Sequence, residues 1–441
     1  MKRLLSLLLC AVLALFCATT AQAAGVSITL TASEYALHYA FDAGAQDPFV
    51  ILEYATPAEK GWMMLYSEDG HFEGDVSLAY SGAGGKTSVA LTSARTTGSI
   101  GKASTTLPKA ADYQKPTGKS NAKVMDFVLT ETPEGFHYAF NAIGTDYMLL
   151  YWRSKEQTVT QPVYPDENGH YEGDVISNLT FARTQFTVQV KSGSGSMKKE
   201  ATVRKGYQAP EAPQRQEGRL SGVTVCIDAG HQENGRFVNE PIGPGLTGST
   251  SGKGGMAQGT KTNRRESIVC LEIGMLLRDE LLRQGANVIM TREDQTTFHT
   301  NIERCEIAEA GGAQIMLRLH CNNSSNRSKR GIQVYGPLNS DYAKAVADAD
   351  TYREMGQKLL DAMKTRVGMT LANSTGMVRL NDNYVGNNWA KMMCFLVEMG
   401  YLSNPAEEYL LVTPVYQQWL AEGMADGVYE IAVARGWVQA Q

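Results

Sequence analysis

The C-terminal half of the sequence alternates short apolar runs with longer stretches of helical periodicity. Apolar runs of three to five residues predict buried strands, and apolar positions spaced three or four apart predict helices. Strands that alternate with helices are typical of an α/β domain, with helices on both faces of a mostly parallel sheet. We predict such a domain over residues 219–441. The predicted strands are Val223–Ile227, Val288–Met290, Ile315–Leu319, Ile332–Tyr335 and Cys394–Val397, and the predicted helices are Ser267–Arg283, Ile302–Ala310, Tyr342–Val367 and Tyr416–Ala434.

The N-terminal half has no sustained helical periodicity and contains an internal repeat. The segment His38–Asp42 recurs with small changes at His137–Asn141, and Glu68–Val76 recurs at Glu167–Val175. Both matches have one offset of 99 residues, as His38 with His137 and His71 with His170 show. Short apolar or aromatic runs bounded by turn residues indicate strands in both copies. We therefore predict two all-β, sandwich-like repeats, at residues 25–108 and 120–206.

Turns, histidines and aromatics recur within these repeats. Asp69-Gly70 and Asn168-Gly169 are dipeptides that tolerate the positive φ angles of tight hairpins. The four histidines of the repeats, which are His38, His71, His137 and His170, are interpreted as structural residues that flank those hairpins. The aromatic residues are interpreted as core, with stacking on sugar rings as the alternative. They are Tyr39, Phe41, Trp62, Tyr66, Tyr138, Phe140, Tyr151 and Trp152.

Two further segments complete the predicted organisation of the chain. Residues 1–24 have the order of a secretory signal: Lys2 and Arg3, an apolar run from Leu4 to Phe16, then Ala21-Gln22-Ala23. We therefore expect a secreted protein, extracellular or associated with the cell wall. Residues 207–218 contain prolines and charges without an apolar period, which predicts a linker.

Composition narrows the classes of function. The 41 Lys and Arg residues against 46 Asp and Glu residues give a net charge of −5, which argues against a broad nucleic-acid surface. Five cysteines would remain after removal of the signal, an odd number that cannot pair completely within one chain. They are Cys226, Cys270, Cys305, Cys321 and Cys394, and their apolar surroundings indicate small buried hydrophobic residues.

Two histidines of the C-terminal half directly follow predicted strands. His231 ends the run from Val225, and His320 ends the run from Ile315. Ligands of open α/β sheets bind at the carboxyl ends of strands, so both imidazoles can face one site. Glu266 begins the helix that returns from the first strand, and thus lies at the same edge. Two imidazoles and one carboxylate form a three-ligand zinc set with a fourth position open. The alternatives are hydrogen-bonded loop histidines and a carboxylate that interacts with the helix dipole.

A second carboxylate, Glu398, closes the apolar strand Cys394–Val397. Burying a carboxylate at a strand end is energetically unfavourable unless it is paired, so its presence there indicates a functional role. A glutamate base beside a zinc-activated water is a standard means of amide hydrolysis. Glu398 is therefore the candidate catalytic residue. Arg318, inside the third strand, either points to the site or forms a buried ion pair.

The order of these motifs resembles the zinc-dependent N-acetylmuramoyl-L-alanine amidases of the type-3 family. The resemblance rests on Ile-Asp-x-Gly-His at 227–231, Glu266, x-Leu-His-x-Asn at 318–322 and Val-Glu-x-Gly-Tyr-Leu-Ser-Asn-Pro at 397–405. It implies that His231, Glu266 and His320 bind zinc and that Glu398 is catalytic. The family usually has proline at position 229, glycine at 232 and alanine at 321, where this sequence has Ala229, Gln232 and Cys321.

The resemblance implies a peptidoglycan hydrolase that cleaves the amide between N-acetylmuramic acid and L-alanine. Two alternatives remain: a zinc peptidase that acts on stem-peptide bonds, and a catalytically silent wall-binding protein. The β repeats are candidates for binding a cell-wall glycan or a protein partner. The glycine-rich segment 232–262 separates the first two candidate ligands. It is interpreted as a lid that faces the substrate, with a passive insertion as the alternative.

Overall fold

The computed structural model divides the chain into two compact units, Met1–Gly206 and Tyr207–Gln441. Most of the predicted signal lies outside the described residues, except Thr19–Gln22, which form a strand. None of the helices among the described residues is sufficiently long and apolar to span a membrane. The described ranges are 19–22, 26–33, 36–57, 59–78, 84–96, 98–109, 123–132, 135–143, 148–153, 158–163, 165–176, 185–191, 198–204, 209–232, 238–250, 255–262, 264–368 and 377–440.

The described part of the N-terminal unit is built from strands. They are β1 (Thr19–Gln22), β2 (Ser27–Ala32), β3 (Ala36–Asp42), β4 (Phe49–Ala55), β5 (Glu59–Tyr66), β6 (His71–Ser77), β7 (Gly85–Ser93), β8 (Ser99–Leu107), β9 (Lys123–Thr132), β10 (Gly135–Ile143), β11 (Met148–Arg153), β12 (Thr158–Val163), β13 (His170–Ile176), β14 (Gln185–Lys191) and β15 (Lys198–Arg204).

These strands form two modules with the same antiparallel pairing. In the first module β3 pairs with β2 and β6, while β4 pairs with β5 and β7, and β7 with β8. In the second, β10 pairs with β9 and β13, while β11 pairs with β12 and β14, and β14 with β15. Inward-facing residues of both sheets share one core in each module. The pairing of β5 with β12 joins the modules into an eight-stranded sheet.

The Asp-Gly and Asn-Gly turns do not form the hairpins that the sequence predicted. Gly70 and Gly169 have positive φ angles of 82° and 77°, as such dipeptides allow. However, β5 and β6 belong to different sheets, and so do β12 and β13. Each turn therefore carries the chain from one sheet of its module to the other.

The histidines of the β modules form outward-facing side-chain hydrogen bonds across strands. His38 Nδ1 lies 3.1 Å from Asp75 Oδ1, and His137 Nδ1 lies 2.9 Å from the carboxylate of Asp174. Both contacts join directly paired residues of neighbouring strands. These interactions agree with a structural role on the exposed face of each module.

Most of the aromatic residues named above lie in the two cores. Phe41 stacks on Phe72 at 4.9 Å between ring centroids, and Phe140 stacks on Tyr171 at 4.6 Å. Trp62, Tyr66 and Tyr151 are exposed or half-buried. Of the aromatic residues named above, only these three are sufficiently exposed to stack on a sugar ring.

The C-terminal unit alternates strands and helices as predicted. Its elements are β16 (Thr224–Ala229), α1 (Glu266–Arg283), β17 (Asn287–Met290), α2 (Asn301–Ala310), β18 (Ile315–Asn322), β19 (Gln333–Gly336), α3 (Asp341–Val346), α4 (Ala349–Val367), β20 (Met377–Leu380), α5 (Val385–Trp389), β21 (Met393–Tyr401), α6 (Glu407–Leu411) and α7 (Pro414–Ala434).

Six strands form one mostly parallel sheet, in the order β17-β16-β18-β21-β19-β20. The pairing of β19 with β21 is antiparallel, and the other pairings are parallel. Successive residues of β16 point to opposite faces of the sheet. Ile227 faces Gly274 of α1, whereas Cys226 joins Met316 and Ala308 of α2 in a buried cluster. Helices thus cover both faces, with α7 beside α1 and α4, and α5 beside α2 and α3.

The predicted helix Tyr342–Val367 is wrong in one respect, because the structure divides it into α3 and α4. Ala347 is extended, with φ −167° and ψ 162°. Asp348 then caps α4, its side chain accepting a hydrogen bond from Thr351 N at 2.8 Å. An aspartate that bonds the backbone favours a helix start over a helix interior. The short elements β20, α5 and α6 were not predicted.

The predicted linker is attached to the C-terminal unit from residue 209 onward. Gln216 N donates to Leu282 O at 3.0 Å, and Arg278 donates to Pro210 O at 2.9 Å. Arg215 donates to Gly285 O at 2.9 Å. The described part of the segment therefore packs on the end of α1.

Candidate metal centre

Three predicted ligands meet at the carboxyl edge of the sheet. His231 follows β16, Glu266 begins α1, and His320 lies near the end of β18. One ligand atom from each lies within 4.8 Å of the others. Across the described ranges, these three form the group of His, Cys, Asp or Glu residues that could hold a metal ion. The parallel pairing of β16 with β18 brings the two histidines to the same edge.

The Glu266 carboxylate is held on both oxygens. Its Oε1 lies 3.1 Å from His231 Nε2 and 2.9 Å from His320 Nδ1. Oε1 also accepts a hydrogen bond from Cys321 N at 3.0 Å, and Oε2 accepts one from Ala257 N at 2.7 Å. Burial alone would raise the pKa of Glu266, but the hydrogen bonds from the two histidines outweigh it and lower the pKa. Glu266 is thus an anion fixed between two imidazoles.

This donor set fits a zinc ion. Two imidazoles and one carboxylate are the protein ligands of one class of catalytic zinc site. Burial lowers the pKa of His320, which keeps its imidazole neutral, as a metal ligand must be. His320 Nε2 is buried without a hydrogen-bond partner. The assignment of the three residues as ligands stays a prediction.

The backbone before the first histidine has little freedom. A Cβ at Gly230 would lie 2.5 Å from Leu319 O and 2.6 Å from His320 Cε1, so only glycine fits there. His231 has a positive φ of 59°, a conformation uncommon for residues other than glycine. Such strain persists only where the surrounding structure holds it in place.

Two buried arginines hold that backbone. Arg292 donates to Ala229 O at 2.8 Å and to Gly230 O at 2.9 Å. Arg304 donates to Ala229 O at 2.9 Å and to His231 O at 3.2 Å. The carbonyl oxygens of three successive residues thus have guanidinium partners. The sequence analysis did not identify these arginines as part of the site. The sequence shows only a charged residue after one strand, Arg292, and one within a helix, Arg304, and neither position is unusual.

Arg318 forms the buried ion pair that was one of its two alternatives. Its Nε donates to Asp228 Oδ2 at 2.9 Å, while Arg304 and Thr291 donate to Asp228 Oδ1. Asp228 is fully buried. Burial would raise the pKa of Asp228, but Arg304 and Arg318 lower it far more. Asp228 therefore links the strand before His231 to the arginine that holds the His231 carbonyl.

Glu398 lies beside the ligands on the central strand of the sheet. It pairs in register with His320 of β18 on one side and with Gln333 of β19 on the other. Its Oε2 atom is buried without a hydrogen-bond partner. Burial and, to a smaller extent, the charge of Glu266 raise its pKa to about 8. The structure thus places a carboxyl group with a perturbed pKa next to the candidate metal ligands, as catalytic sites often do.

We expect the metal-free chain to lose stability, relative to a Glu398→Gln variant, between about pH 4.5 and about pH 8. The folded pKa lies above the unfolded one, so stabilisation is complete at low pH and is lost as the pH rises through the folded pKa. Denaturant unfolding of both metal-free proteins at either end of this range measures the difference. An equal difference at both ends would contradict the burial of an ionisable Glu398.

The segment 232–262 is anchored at two places in its described parts. Asn388 and Trp389 of α5 donate to Ile242 O and Pro241 O at 3.1 Å and 2.9 Å. Further on, Lys261 N donates to Glu408 of α6 at 3.0 Å. The described parts therefore pack on α5 and α6. The lid interpretation also involves residues 233–237 and 251–254, which lie outside the described residues.

All five cysteines of the C-terminal unit are buried free thiols. Burial, the largest cause in each case, raises their pKa values. Thiols of this kind are unreactive hydrophobic residues. Cys321, which follows a candidate ligand, contributes its backbone N–H to Glu266.

Comparison with known proteins decides the family of this unit. The sequence profile of the N-acetylmuramoyl-L-alanine amidase family matches residues 225–430, a range that contains all four candidate site residues. The C-terminal unit belongs to this amidase family. We refer to it below as the amidase unit.

Individual relatives match the same part of the chain. The germination-specific N-acetylmuramoyl-L-alanine amidase of Bacillus subtilis is 26% identical over 231 residues, which are 49% of this chain and 83% of that protein. The probable cell wall amidase LytH of Staphylococcus aureus is 27% identical over 218 residues, which are 48% of this chain and 60% of that protein. Among solved structures, an amidase from Clostridium difficile 630 is 23% identical with a TM-score of 0.38, and the match covers 48% of this chain and 96% of that one.

Proposed function

We propose that this protein is a secreted, zinc-dependent peptidoglycan hydrolase. It cleaves the amide bond between N-acetylmuramic acid and the L-alanine of the stem peptide. The observation that carries the proposal is the convergence of His231, Glu266 and His320, with Glu398 on the adjacent strand, inside a unit of the amidase family. The names of the two relatives support an action on the cell wall.

The residues of the site divide the chemistry between them. His231, Glu266 and His320 would hold the zinc ion. When bound, zinc supplies a Lewis acid that polarises the amide carbonyl and lowers the pKa values of a water molecule and of the nearby Glu398. Glu398 accepts the proton of the attacking water and delivers it to the leaving amine of L-alanine. Arg292 and Arg304 keep the His231 backbone in its strained conformation, so that the first ligand is already positioned.

Product analysis distinguishes the proposed reaction from its alternatives. Purified peptidoglycan is digested with the full chain, and the products are identified by mass spectrometry and amino-terminal analysis. An amidase releases stem peptides with a free L-alanine amino terminus. A new amino terminus inside the stem peptide would indicate a zinc peptidase, and an absence of products would indicate a silent binding protein.

We expect a fragment Tyr207–Gln441 to hydrolyse small soluble muropeptides at close to the rate of the full chain. All four site residues and their hydrogen-bond partners lie within this fragment. A fragment that starts at Gly218 loses three hydrogen bonds of the attached segment, at Pro210, Arg215 and Gln216. At about 1 kcal/mol each, these bonds should make the shorter fragment measurably less stable. A folded, zinc-loaded Tyr207–Gln441 fragment without activity would contradict this division of the chain.

For the β modules, we propose a duplicated unit that attaches the enzyme to the wall or to a partner. Strands β2 to β8 pair with one another in the same pattern as strands β9 to β15. This equivalence, together with the sequence offset of 99 residues, supports the duplication. The full chain should then sediment with insoluble peptidoglycan more completely than the Tyr207–Gln441 fragment does. Equal sedimentation would leave the modules without a role in wall attachment.

A further inference from the structure

The helix α6 presents two buried carboxylates to different parts of the amidase unit. Glu407 is 2% exposed and Glu408 is 0% exposed, although glutamates are rarely buried in full. The Glu407 carboxylate accepts hydrogen bonds from Gly331 N and Tyr401 N, each at 2.8 Å. Glu408 instead binds the chain that leads to the candidate ligand Glu266. Glu407 and Glu408 are therefore both buried carboxyl groups, but they accept hydrogen bonds from different segments of the chain.

Glu408 fixes the turn of a short hairpin. Lys261 N donates to both of its oxygens at 3.0 Å, and Thr262 N donates to its Oε2 at 3.4 Å. The Thr260 hydroxyl donates to its Oε1 at 3.2 Å. A carboxylate that accepts several hydrogen bonds from one turn restrains that turn more strongly than a neutral acceptor would. Residues 260–262 are thereby attached to α6.

The same hairpin ends at Glu266. Gln258 forms a bridge with Arg265, and Gly259 N donates to Arg264 O at 2.9 Å. Glu266 N then donates to Ala257 O at 2.9 Å. In return, Ala257 N donates to the Glu266 side chain at 2.7 Å. The hairpin thus holds Glu266 Oε2 through the Ala257 N–H, while Oε1 faces the histidines.

We propose that Glu408 is a positioning residue for Glu266 and thereby sets the affinity of the site for zinc. In the described part of the chain its hydrogen bonds go to residues 260–262 and not to a candidate ligand. It acts through the hairpin, whose Ala257 N–H orients the Glu266 carboxylate. This inference rests on the proposed function, because it assumes that Glu266 binds zinc. Groups that hydrogen-bond a metal ligand directly usually contribute ~10–100-fold to metal affinity. Glu408 acts one contact further from the ligand, so its contribution should be smaller.

The test compares Glu408→Gln with Glu407→Gln in the full chain. Both substitutions keep the shape of a buried side chain on the same helix and replace one carboxyl group by an amide. Zinc affinity is measured by competition with a chromophoric chelator, without substrate, and unfolding of the metal-free proteins is measured in parallel. We expect Glu408→Gln to raise the zinc Kd several-fold, up to about 10-fold, the lower end of the range for direct partners of a ligand. Glu407→Gln should leave the Kd nearly unchanged, whatever its effect on stability.

Hydrogen exchange of the metal-free proteins provides a second measurement. The Ala257 amide should exchange faster in Glu408→Gln than in Glu407→Gln, because local opening of the hairpin exposes it. If Glu408→Gln does not fold, Thr260→Val removes one donor to Glu408 and should raise the zinc Kd by a smaller factor. Unchanged zinc affinity in the folded variant, or equal losses in both glutamine variants, would overturn the inference. A wild-type chain that binds no zinc would instead overturn the proposed function.

Discussion

Replacing Glu398 by glutamine should reduce the hydrolysis of soluble muropeptides by ~10²–10⁴-fold, the usual contribution of a general acid–base group. Glutamine has nearly the same shape but cannot accept a proton. The side chain lies beside His320 in the sheet and has no hydrogen bond on its buried Oε2 atom, so the substitution disturbs no observed contact of that atom. We therefore expect Glu398→Gln to retain its zinc. The measurements are kcat with a defined muropeptide and metal content by mass spectrometry.

The matched comparison is the replacement of each candidate ligand by alanine. His231→Ala, Glu266→Ala and His320→Ala leave two ligands each, too few for a stable site, and should lose most of the zinc. Loss of zinc from Glu398→Gln as well would make Glu398 a fourth ligand and the site structural. Turnover close to that of the wild-type chain in Glu398→Gln would remove the proposed mechanism.

The candidate site could be predicted from sequence because it follows directly from strand order. A histidine after one parallel strand and a histidine after the next lie at the same edge of a sheet, and the returning helix begins there as well. His231, Glu266 and His320 needed no knowledge of side-chain packing to be placed together. The same reasoning brought Glu398 to that edge, although β21 extends four residues past the predicted strand, to Tyr401.

Other features depended on contacts between distant residues, which a local pattern does not contain. The turn at Asp69-Gly70 has the residues of a hairpin, but the core of its module needs strands in two sheets, and the turn joins them. The helix from Tyr342 is apolar at helical spacing throughout, yet the Asp348 cap divides it. Arg292 and Arg304 acquire their roles only when folding brings the carbonyl groups of residues 229–231 to their guanidinium groups.

The second large effect is expected at Asp228, beneath the site. Asp228→Asn should lower the free energy of unfolding of the metal-free chain by about 3–5 kcal/mol, the usual cost of removing one partner from a buried ion pair. The wild-type carboxylate accepts from Arg318 at 2.9 Å and from Thr291 at 2.8 Å, and it pairs with Arg304. Asparagine keeps the shape but leaves two buried guanidinium groups without an anion.

An exposed pair provides the control for Asp228→Asn. Asp350 is paired with Arg353 on α4, and its side chain is 94% exposed. Asp350→Asn should change stability by less than about 1 kcal/mol, because water screens such a pair. Denaturant unfolding of both variants measures the contrast between the same substitution at a buried and an exposed position.

Asp228→Asn should also weaken zinc binding, although Asp228 is not a ligand. Arg304 donates both to Asp228 and to His231 O, so a displaced Arg304 no longer restrains the strained backbone of the first ligand. The zinc Kd of the folded variant, measured by chelator competition, should therefore rise, whereas Asp350→Asn should leave it unchanged. A destabilised Asp228→Asn variant with wild-type zinc affinity would show that His231 is held without the contact between Asp228 and Arg304, and that the ion pairs of Asp228 stabilise the core alone.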